Sequence, residues 1–214
     1  MATGTVDQIA ERQFGWMRHS REFQESRPLY LAMLRELAKG KPVAVERLVE
    51  VTGRPVEQVT RALGDLGVEW DGDGRLVGAG LSLRPTPHRM VVNGRILWAW
   101  CAFDTLLFPP LLEVSARVES PCRATGQPVS VDLTSQGVRR VDPAAAVVSM
   151  LPPRELSDVR QQVCIYGHYF HAAEAAADWH ARHPDGEVLP VAETSQVARR
   201  MARLFAGPPQ HPQA

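Results

Sequence analysis

The feature that most constrains this chain is a continuous apolar run in its middle, residues 96–112, which reads ILWAWCAFDTLLFPPLL. The run is 17 residues long, carries Asp104 near its centre and holds the pair Pro109-Pro110 near its end. A membrane-spanning helix needs about 20 apolar residues and rarely holds a central carboxylate. The run therefore predicts a buried core segment and no membrane span, and we expect a helix over residues 96–108.

Charge and cysteine content restrict the class of protein further. The 214 residues carry 24 Lys and Arg against 24 Asp and Glu, whereas a general nucleic-acid or anionic-membrane binder needs a basic excess. Three cysteines are too few, and odd in number, for a disulfide framework. Residues 1–27 contain no apolar run of signal-peptide length. We therefore expect a cytoplasmic protein with free thiols, folded as one domain or two small ones.

Helices followed by a hairpin are predicted in the first part of the chain. Apolar residues recur at helical spacing in three windows, residues 28–40, 43–51 and 55–66, and Pro or Gly residues mark the ends of these windows. Ser26 and Pro28 indicate the start of the first helix. Residues 68–70, the turn DGDG at 71–74 and a strand that contains Leu81 and Leu83 complete a hairpin. This order is typical of a winged-helix domain.

A winged helix raises the alternative of a metal-sensing transcriptional regulator, in which cysteines bind the metal and helices bind DNA. Phosphate contacts need clusters of Lys and Arg. Residues 1–80 hold 11 basic and 12 acidic residues, and the helix that would enter the groove carries Arg61 against Glu57 and Asp65. The charge favours a helical support domain and argues against a nucleic-acid partner.

The second part of the chain has a mixed pattern, so the fold class is α+β. Strands are expected at residues 114–119, 129–133 and 147–151, and a strand is also compatible with 164–170. Helices are expected at 154–163, 172–181 and 197–205. We divide the chain into an N-terminal extension (1–27), a winged-helix-like domain (28–83), an α+β domain (84–206) and a disordered Pro-rich tail (207–214).

Cys101 and Asp104 are the first candidates for chemistry. The two residues are three positions apart, so on a helix their side chains would share one face. The segment around them is apolar, and desolvation in such a segment raises the pKa of a carboxyl group. Spacing alone leaves two interpretations open. The pair is either a thiol beside a proton donor or a buried small hydrophobe beside an Asp that bonds locally.

The other two cysteines lie in different contexts. Cys164, His168 and His171 have a spacing that a zinc site could use, which keeps a structural zinc protein open as another alternative. No second close Cys or His pair supports it, and the chain has no Cys-x₂-Cys motif. Cys122 stands alone in a segment, residues 120–126, that predicts a turn.

The stretch from Trp98 to Pro109, WAWCAFDTLLFP, resembles the organomercurial (alkylmercury) lyases. The motif of that family is an aromatic-Ala-Trp-Cys-Ala-x-Asp-Thr-Leu-x-Phe-Pro run. Residues 34–43, 116–126 and 158–170 are similar to further stretches of the family, with departures around 165–167. The resemblance covers roughly residues 28–205 and leaves out the first 27 residues and the tail.

The resemblance implies an enzyme that cuts the carbon–mercury bond by protonolysis, with an N-terminal helical domain and an α+β catalytic domain. It implies catalytic roles for Cys101, Asp104 and Cys164, which would also hold the Hg(II) product, and a structural role for Cys122. It implies no organic cofactor. External low-molecular-weight thiols would remove the ion, and a mercuric reductase would accept it. Apolar Trp100, Phe103 and Phe108 are expected to accommodate the organic group, although core packing is the simpler interpretation for each of them.

Overall fold

The helices come first in the chain. The computed structural model describes residues 4–152 and 159–206. The first helices are α1 (Val6–Phe14), α2 (Arg21–Leu37), α3 (Val45–Thr52) and α4 (Val56–Asp65), with a 3₁₀ turn, Gly15–Arg18, after α1. The predicted start of the first helix at Ser26 and Pro28 is wrong. Helix α2 begins five residues earlier, where the Ser20 hydroxyl caps it by accepting a hydrogen bond from the Phe23 N–H at 3.1 Å.

The described part of the predicted N-terminal extension packs into the core. Ile9 and Phe14 of α1, Met17 of the 3₁₀ turn and Phe23 of α2 are all buried. Helix α1 lies against the last helix of the chain, α8 (Val191–Ala206). This segment therefore forms a layer that covers the second half of the chain.

One antiparallel sheet joins the two halves. Its strands are β1 (Glu69–Trp70), β2 (Leu76–Ala79), β3 (Leu81–Ser82), β4 (His88–Val92), β5 (Arg95–Ala99), β6 (Ala116–Pro121), β7 (Pro128–Thr134) and β8 (Gly137–Asp142). Their order in the sheet is β1-β2-β3-β5-β4-β6-β7-β8. Because β3 pairs with β5 through Leu81 and Ala99, the predicted hairpin continues into the sheet of the second half.

A second, smaller sheet and the remaining helices complete the fold. Its strands are β9 (Val147–Met150), β10 (Tyr169–Phe170) and β11 (Glu187–Pro190), in the order β10-β9-β11. The helices are α5 (Ala102–Leu112), α6 (Val159–Gln162), α7 (Ala177–Arg182) and α8, with 3₁₀ turns at Cys164–Tyr166 and Glu174–Ala176. The α+β class with a helical first region is confirmed. Among the described residues, we find no helix with the length and hydropathy that a bilayer crossing requires.

The apolar run divides where one helix was predicted. Residues 95–99 are strand β5, which a tight turn at Asn93 and Gly94 (φ 50° and 75°) joins to β4, and the helix begins only at Ala102. The prediction of a helix over 96–108 is therefore wrong at its start. A fully apolar run does not distinguish a buried strand from a buried helix by periodicity. Helix α5 is buried on nearly every side and packs against α8.

The other differences concern the last third of the chain. The strand considered for 164–170 is a 3₁₀ turn followed by the two-residue strand β10, and the helix predicted over 172–181 is a 3₁₀ turn followed by α7. Strands β8 and β11 were not predicted. Helix α8 begins six residues before the predicted start at 197. Part of the helix predicted over 154–163 lies outside the described residues. The whole of the tail, 207–214, also lies outside them.

Candidate active site

Cys101 and Asp104 lie at the point where strand β5 turns into helix α5. Cys101 is the N-cap of the helix, in extended conformation, and Asp104 lies in its first turn. The backbone N–H of Asp104 donates to Cys101 Sγ at 3.4 Å. The expectation that both side chains lie on one face of a helix is therefore corrected, because Cys101 precedes the helix. Its thiol takes the capping position that Ser, Thr or Asp usually occupies. The helix N-terminus favours negative charge at both groups.

Cys164 reaches this site from a distant part of the chain. It begins the 3₁₀ turn Cys164–Tyr166, and its Sγ lies 3.8 Å from Oδ2 of Asp104. One ligand atom from each of Cys101, Asp104 and Cys164 lies within 4.8 Å of the other two. The structure thus brings together the three residues for which the family resemblance implied catalysis. All three are buried.

Gly167 holds the two cysteine-bearing segments together. Its carbonyl accepts the N–H of Ala102 at 3.0 Å, and its own N–H donates to the Cys164 carbonyl at 3.1 Å. A Cβ at this position would stand 2.9 Å from Cys101 Cβ and 3.2 Å from Cys101 Sγ. The close approach of Cys101 therefore requires glycine. Nothing in the local sequence around Gly167 signalled this requirement.

Burial and proximity shift the ionisation of all three groups. Burial raises the pKa of Asp104 to about 6, although hydrogen bonds from Cys101 and Cys164 act in the opposite direction. Burial also raises the pKa of Cys101 well above its ordinary value, with further contributions from Cys164 and the Asp104 charge. The hydrogen bond with Cys101 lowers the pKa of Cys164, but burial and Asp104 outweigh it and the pKa is raised. Near neutral pH the site therefore holds two thiols beside a carboxylate.

Two cavities that share part of their lining border this group. The inner cavity, about 100 Å³, is lined by Cys101, Phe103 and Gly167, among others. The outer cavity, about 170 Å³, reaches the surface at exposed Glu22 and Asp65. Five residues line both cavities, and we call them the neck. The neck residues are Met17, Tyr30, Asp104, Cys164 and Met201.

The three aromatic residues expected in a substrate pocket differ in position. Trp100 lines the outer cavity, where the guanidinium of Arg160 lies 4.8 Å from its ring centroid. Phe103 lines the inner cavity and packs against Phe14 of α1 at 5.3 Å between ring centroids. Phe108 lines neither cavity. It is buried, and its ring would stand 3.0 Å from a Cβ at Gly80, so its contacts are those of core packing.

Tyr30 is a site residue that the sequence analysis did not identify. It lines both cavities from helix α2, and its hydroxyl would stand 3.0 Å from a Cβ at Gly80. Desolvation raises the pKa of Tyr30 well above its ordinary value, and the charges of Asp104, Cys164 and Cys101 act in the same direction. Tyr30 therefore faces the site as a neutral phenol. Helical periodicity alone could not distinguish it from a core residue.

Cys122 lies in a separate environment. Its Sγ is 3.3 Å from Nδ1 of His171, whose Nδ1 is also 3.4 Å from the Thr125 hydroxyl. Burial raises the pKa of Cys122, but hydrogen bonds from Thr125 and His171 outweigh burial and lower it to about 6. Zinc held by Cys164, His168 and His171 finds no support. In the described ranges 4–152 and 159–206, Cys101, Asp104 and Cys164 form the one cluster of three such residues suited to a metal ion.

Comparison with known proteins bears on both halves of the chain. A family model described as alkylmercury lyase matches residues 81–203, and one described as the helix-turn-helix domain of alkylmercury lyase matches residues 20–80. The alkylmercury lyase of Bacillus cereus is 42% identical over 178 residues, which are 83% of this chain and 82% of the relative. That of Streptomyces lividans is 43% identical over 182 residues, 84% of this chain and 85% of the relative.

A solved structure shows the same fold. The crystal structure of the mercury-bound form of MerB2 superposes with a TM-score of 0.77 at 24% sequence identity, and the match covers 94% of this chain and 98% of that one.

Proposed function

The chain belongs to the alkylmercury lyase family, and from this we propose that it cleaves the carbon–mercury bond of alkyl- and arylmercury compounds by protonolysis. The observation that carries the proposal is the cluster of Cys101, Asp104 and Cys164, whose ligand atoms lie within 4.8 Å of one another beside an apolar cavity. Mercury(II) is a soft ion, and thiolate is its soft protein ligand.

In the proposed reaction, the Asp104 carboxylate accepts the proton of one thiol, and the thiolate replaces the ligand that mercury brought with it. The second thiol releases its proton to solvent, and its thiolate then adds electron density to mercury and so makes the attached carbon more basic. Asp104 returns its proton to that carbon as a general acid, and the carbon–mercury bond breaks. The balance is R–Hg⁺ and two thiols giving R–H, Hg(II) held by two thiolates, and one proton.

The surrounding cavities suit such a substrate. The organic group would occupy the inner cavity, where Phe103, Phe14 and Leu107 supply apolar walls. The outer cavity, lined by Trp100, would admit the compound. No organic cofactor takes part in this scheme. External thiols would remove Hg(II) by exchange, and a mercuric reductase would be the recipient.

The alternative of a metal-sensing regulator is less well supported by the geometry. Helix α4 is the helix that would read DNA in a winged helix. Its Ala62 and Asp65 instead line the outer cavity above the cysteines. A helix in that position covers a substrate site.

The experiment that tests the proposal is a hydrocarbon-release assay. Purified protein with phenylmercury and excess thiol should release benzene, measured by gas chromatography. Cys101→Ser and Cys164→Ser should release none while keeping the far-UV circular dichroism of the parent. Cys122→Ser provides the matched control, because it changes a thiol outside the cluster. Full activity in either of the first two variants would contradict the two-thiolate mechanism.

A further inference from the structure

Two methionines stand in the neck between the outer and inner cavities, and the scheme above assigns them no role. Met17 belongs to the 3₁₀ turn after α1 and Met201 to α8, so they reach the neck from different elements. Each lines both cavities together with Asp104 and Cys164. The two methionine side chains therefore border the same space as the reactive carboxyl group and one of the thiols.

Of the other methionines in the described ranges, Met150 lines the inner cavity alone, whereas Met33 and Met90 line neither cavity and are completely buried in the core. Met17 is 6% exposed and Met201 is partly buried. A purely space-filling role would be met equally by leucine at these positions. The thioether differs from leucine in one chemical property, which is a soft, polarisable sulfur with a lone pair.

We propose that Met17 and Met201 form a soft-metal way station, at which their thioethers contact mercury as it passes between the outer cavity and the thiol cluster. This inference rests on the proposed function and adds a binding step to it. Mercury held by two ligands accepts the thioether lone pair as a weak additional contact, so no bond to the existing ligands has to break first. The thioether is neutral and carries no titratable proton, so the contact moves no proton.

Thiolate binds soft metals as an anion, whereas thioether binds them as a neutral donor. Transfer from the neck to Cys164 is therefore favourable, and once the thiolates hold the metal the way station keeps only a long, weak contact with it. The consequence of the way station is kinetic, because a substrate held at the neck lies next to both Cys164 and Asp104, which line the same two cavities. The same contacts would serve the Hg(II) product on its way to external thiols.

The first test uses methionine methyl groups labelled with ¹³C in the wild-type chain. One equivalent of Hg(II) should shift the methyl signals of Met17 and Met201 and leave those of Met33 and Met90 in place. Absorption fine structure at the mercury edge should show a long mercury–sulfur contact in addition to the thiolates, and the Met17→Leu/Met201→Leu double variant should lose it. Unshifted neck methyl signals, or a spectrum unchanged in the double variant, would overturn the proposal.

The second test is kinetic and separates the sulfur from the shape of the side chain. Met17→Leu and Met201→Leu should each lower kcat/KM for phenylmercury by about fivefold. Met33→Leu, which makes the same change in the core, should leave kcat/KM unchanged. Thermal unfolding of all three variants monitors packing. If the way station is wrong, both neck variants will keep the kcat/KM of wild type and benzene release will continue. If the proposed function is wrong, the wild-type protein itself will release no benzene.

Discussion

The Sγ of Cys164 lies 3.8 Å from Oδ2 of Asp104, although 60 positions separate the two residues in the chain. Helix α5 carries the carboxyl and the 3₁₀ turn Cys164–Tyr166 carries the thiol, and Gly167 ties these elements together by its backbone. A thiol and a carboxyl at this separation inside a buried site can exchange a proton without the solvent. Catalysis by Asp104 depends on that exchange.

Asp104→Asn should bind organomercury but release hydrocarbon slowly, because an amide has no proton to give to carbon. Loss of a positioned general acid typically costs about 100-fold or more in rate. Single-turnover benzene release measures the rate, and native mass spectrometry of the phenylmercury adduct measures binding. Asp65→Asn, at the surface end of the outer cavity, is the matched control and should behave as wild type. Wild-type release by Asp104→Asn would remove Asp104 from the mechanism.

The pH dependence should carry the signature of Asp104. Its pKa is raised to about 6 by burial, and the free enzyme needs the ionised carboxylate to accept a thiol proton. We therefore expect kcat/KM to fall as the pH decreases through about 6 and to rise toward a plateau above it. Steady-state benzene release between pH 5 and 7.5 measures this limb, with circular dichroism to confirm folding at each pH. A flat profile over this range would contradict the assignment.

The raised pKa also has a consequence for stability. The folded state binds the Asp104 proton more tightly than the unfolded state, whose carboxyl titrates near 3.8. The contribution of Asp104 to the free energy of unfolding is therefore lost as the pH rises from about 4 to about 6. Asp104→Asn should remove this dependence, so the variant should gain stability relative to wild type over that interval. Urea unfolding at pH 4.5 and pH 7 measures the difference, and a constant difference would count against the raised pKa.

Gly167→Ala should damage activity more than stability. The new Cβ would stand 2.9 Å from Cys101 Cβ, so Cys101 or the turn has to move. A misplacement of about 1 Å can cost about 100-fold in rate. Gly64→Ala is the control, since nothing lies within 4 Å of a Cβ there and alanine favours a helix. Benzene release and thermal unfolding are compared for both variants, and full activity in Gly167→Ala would show that the site tolerates the added methyl group.

Cys122→Ser should destabilise the fold and leave turnover within about twofold, because a buried hydrogen-bonded group lost outside the active site typically costs about 1 to 2 kcal/mol. The pKa of Cys122 is lowered from 9.0 to about 6, so its ionisation stabilises the folded state increasingly between pH 6 and 9. The destabilisation by serine should therefore be larger at pH 8.5 than at pH 6. Denaturant unfolding at the two pH values tests this, and an equal loss at both would contradict a thiolate beside His171.

Much of the fold follows from local patterns in the sequence. Apolar residues at helical spacing, with glycine at the ends, predicted α3 and α4 closely, and the strands expected at 129–133 and 147–151 correspond to β7 and β9. The start of α5 could not be predicted in this way, because the apolar run continues from β5 into α5 without a break, although Ile96 of β5 is exposed. A cysteine N-cap gives no ordinary capping signal.

The site was predicted only in part, for a related reason. The family motif pointed to Cys101, Asp104 and Cys164, whereas the contributions of Met17 and Tyr30 depend on how the first helices lie over the second half. Ile9 and Phe14 are spaced among charged residues, so residues 1–27 had no pattern that demanded burial. Tertiary packing places these helices over the cavities, and single-sequence patterns do not contain that information.

The most direct test of the central claim is benzene release from phenylmercury by the wild-type chain in D₂O with excess thiol. Protonolysis predicts that each benzene carries one deuterium and that Hg(II) appears in equal amount, both measured by mass spectrometry. Absence of benzene, or benzene without deuterium, would contradict the cleavage of the carbon–mercury bond by a proton that exchanges with solvent through the Asp104 site.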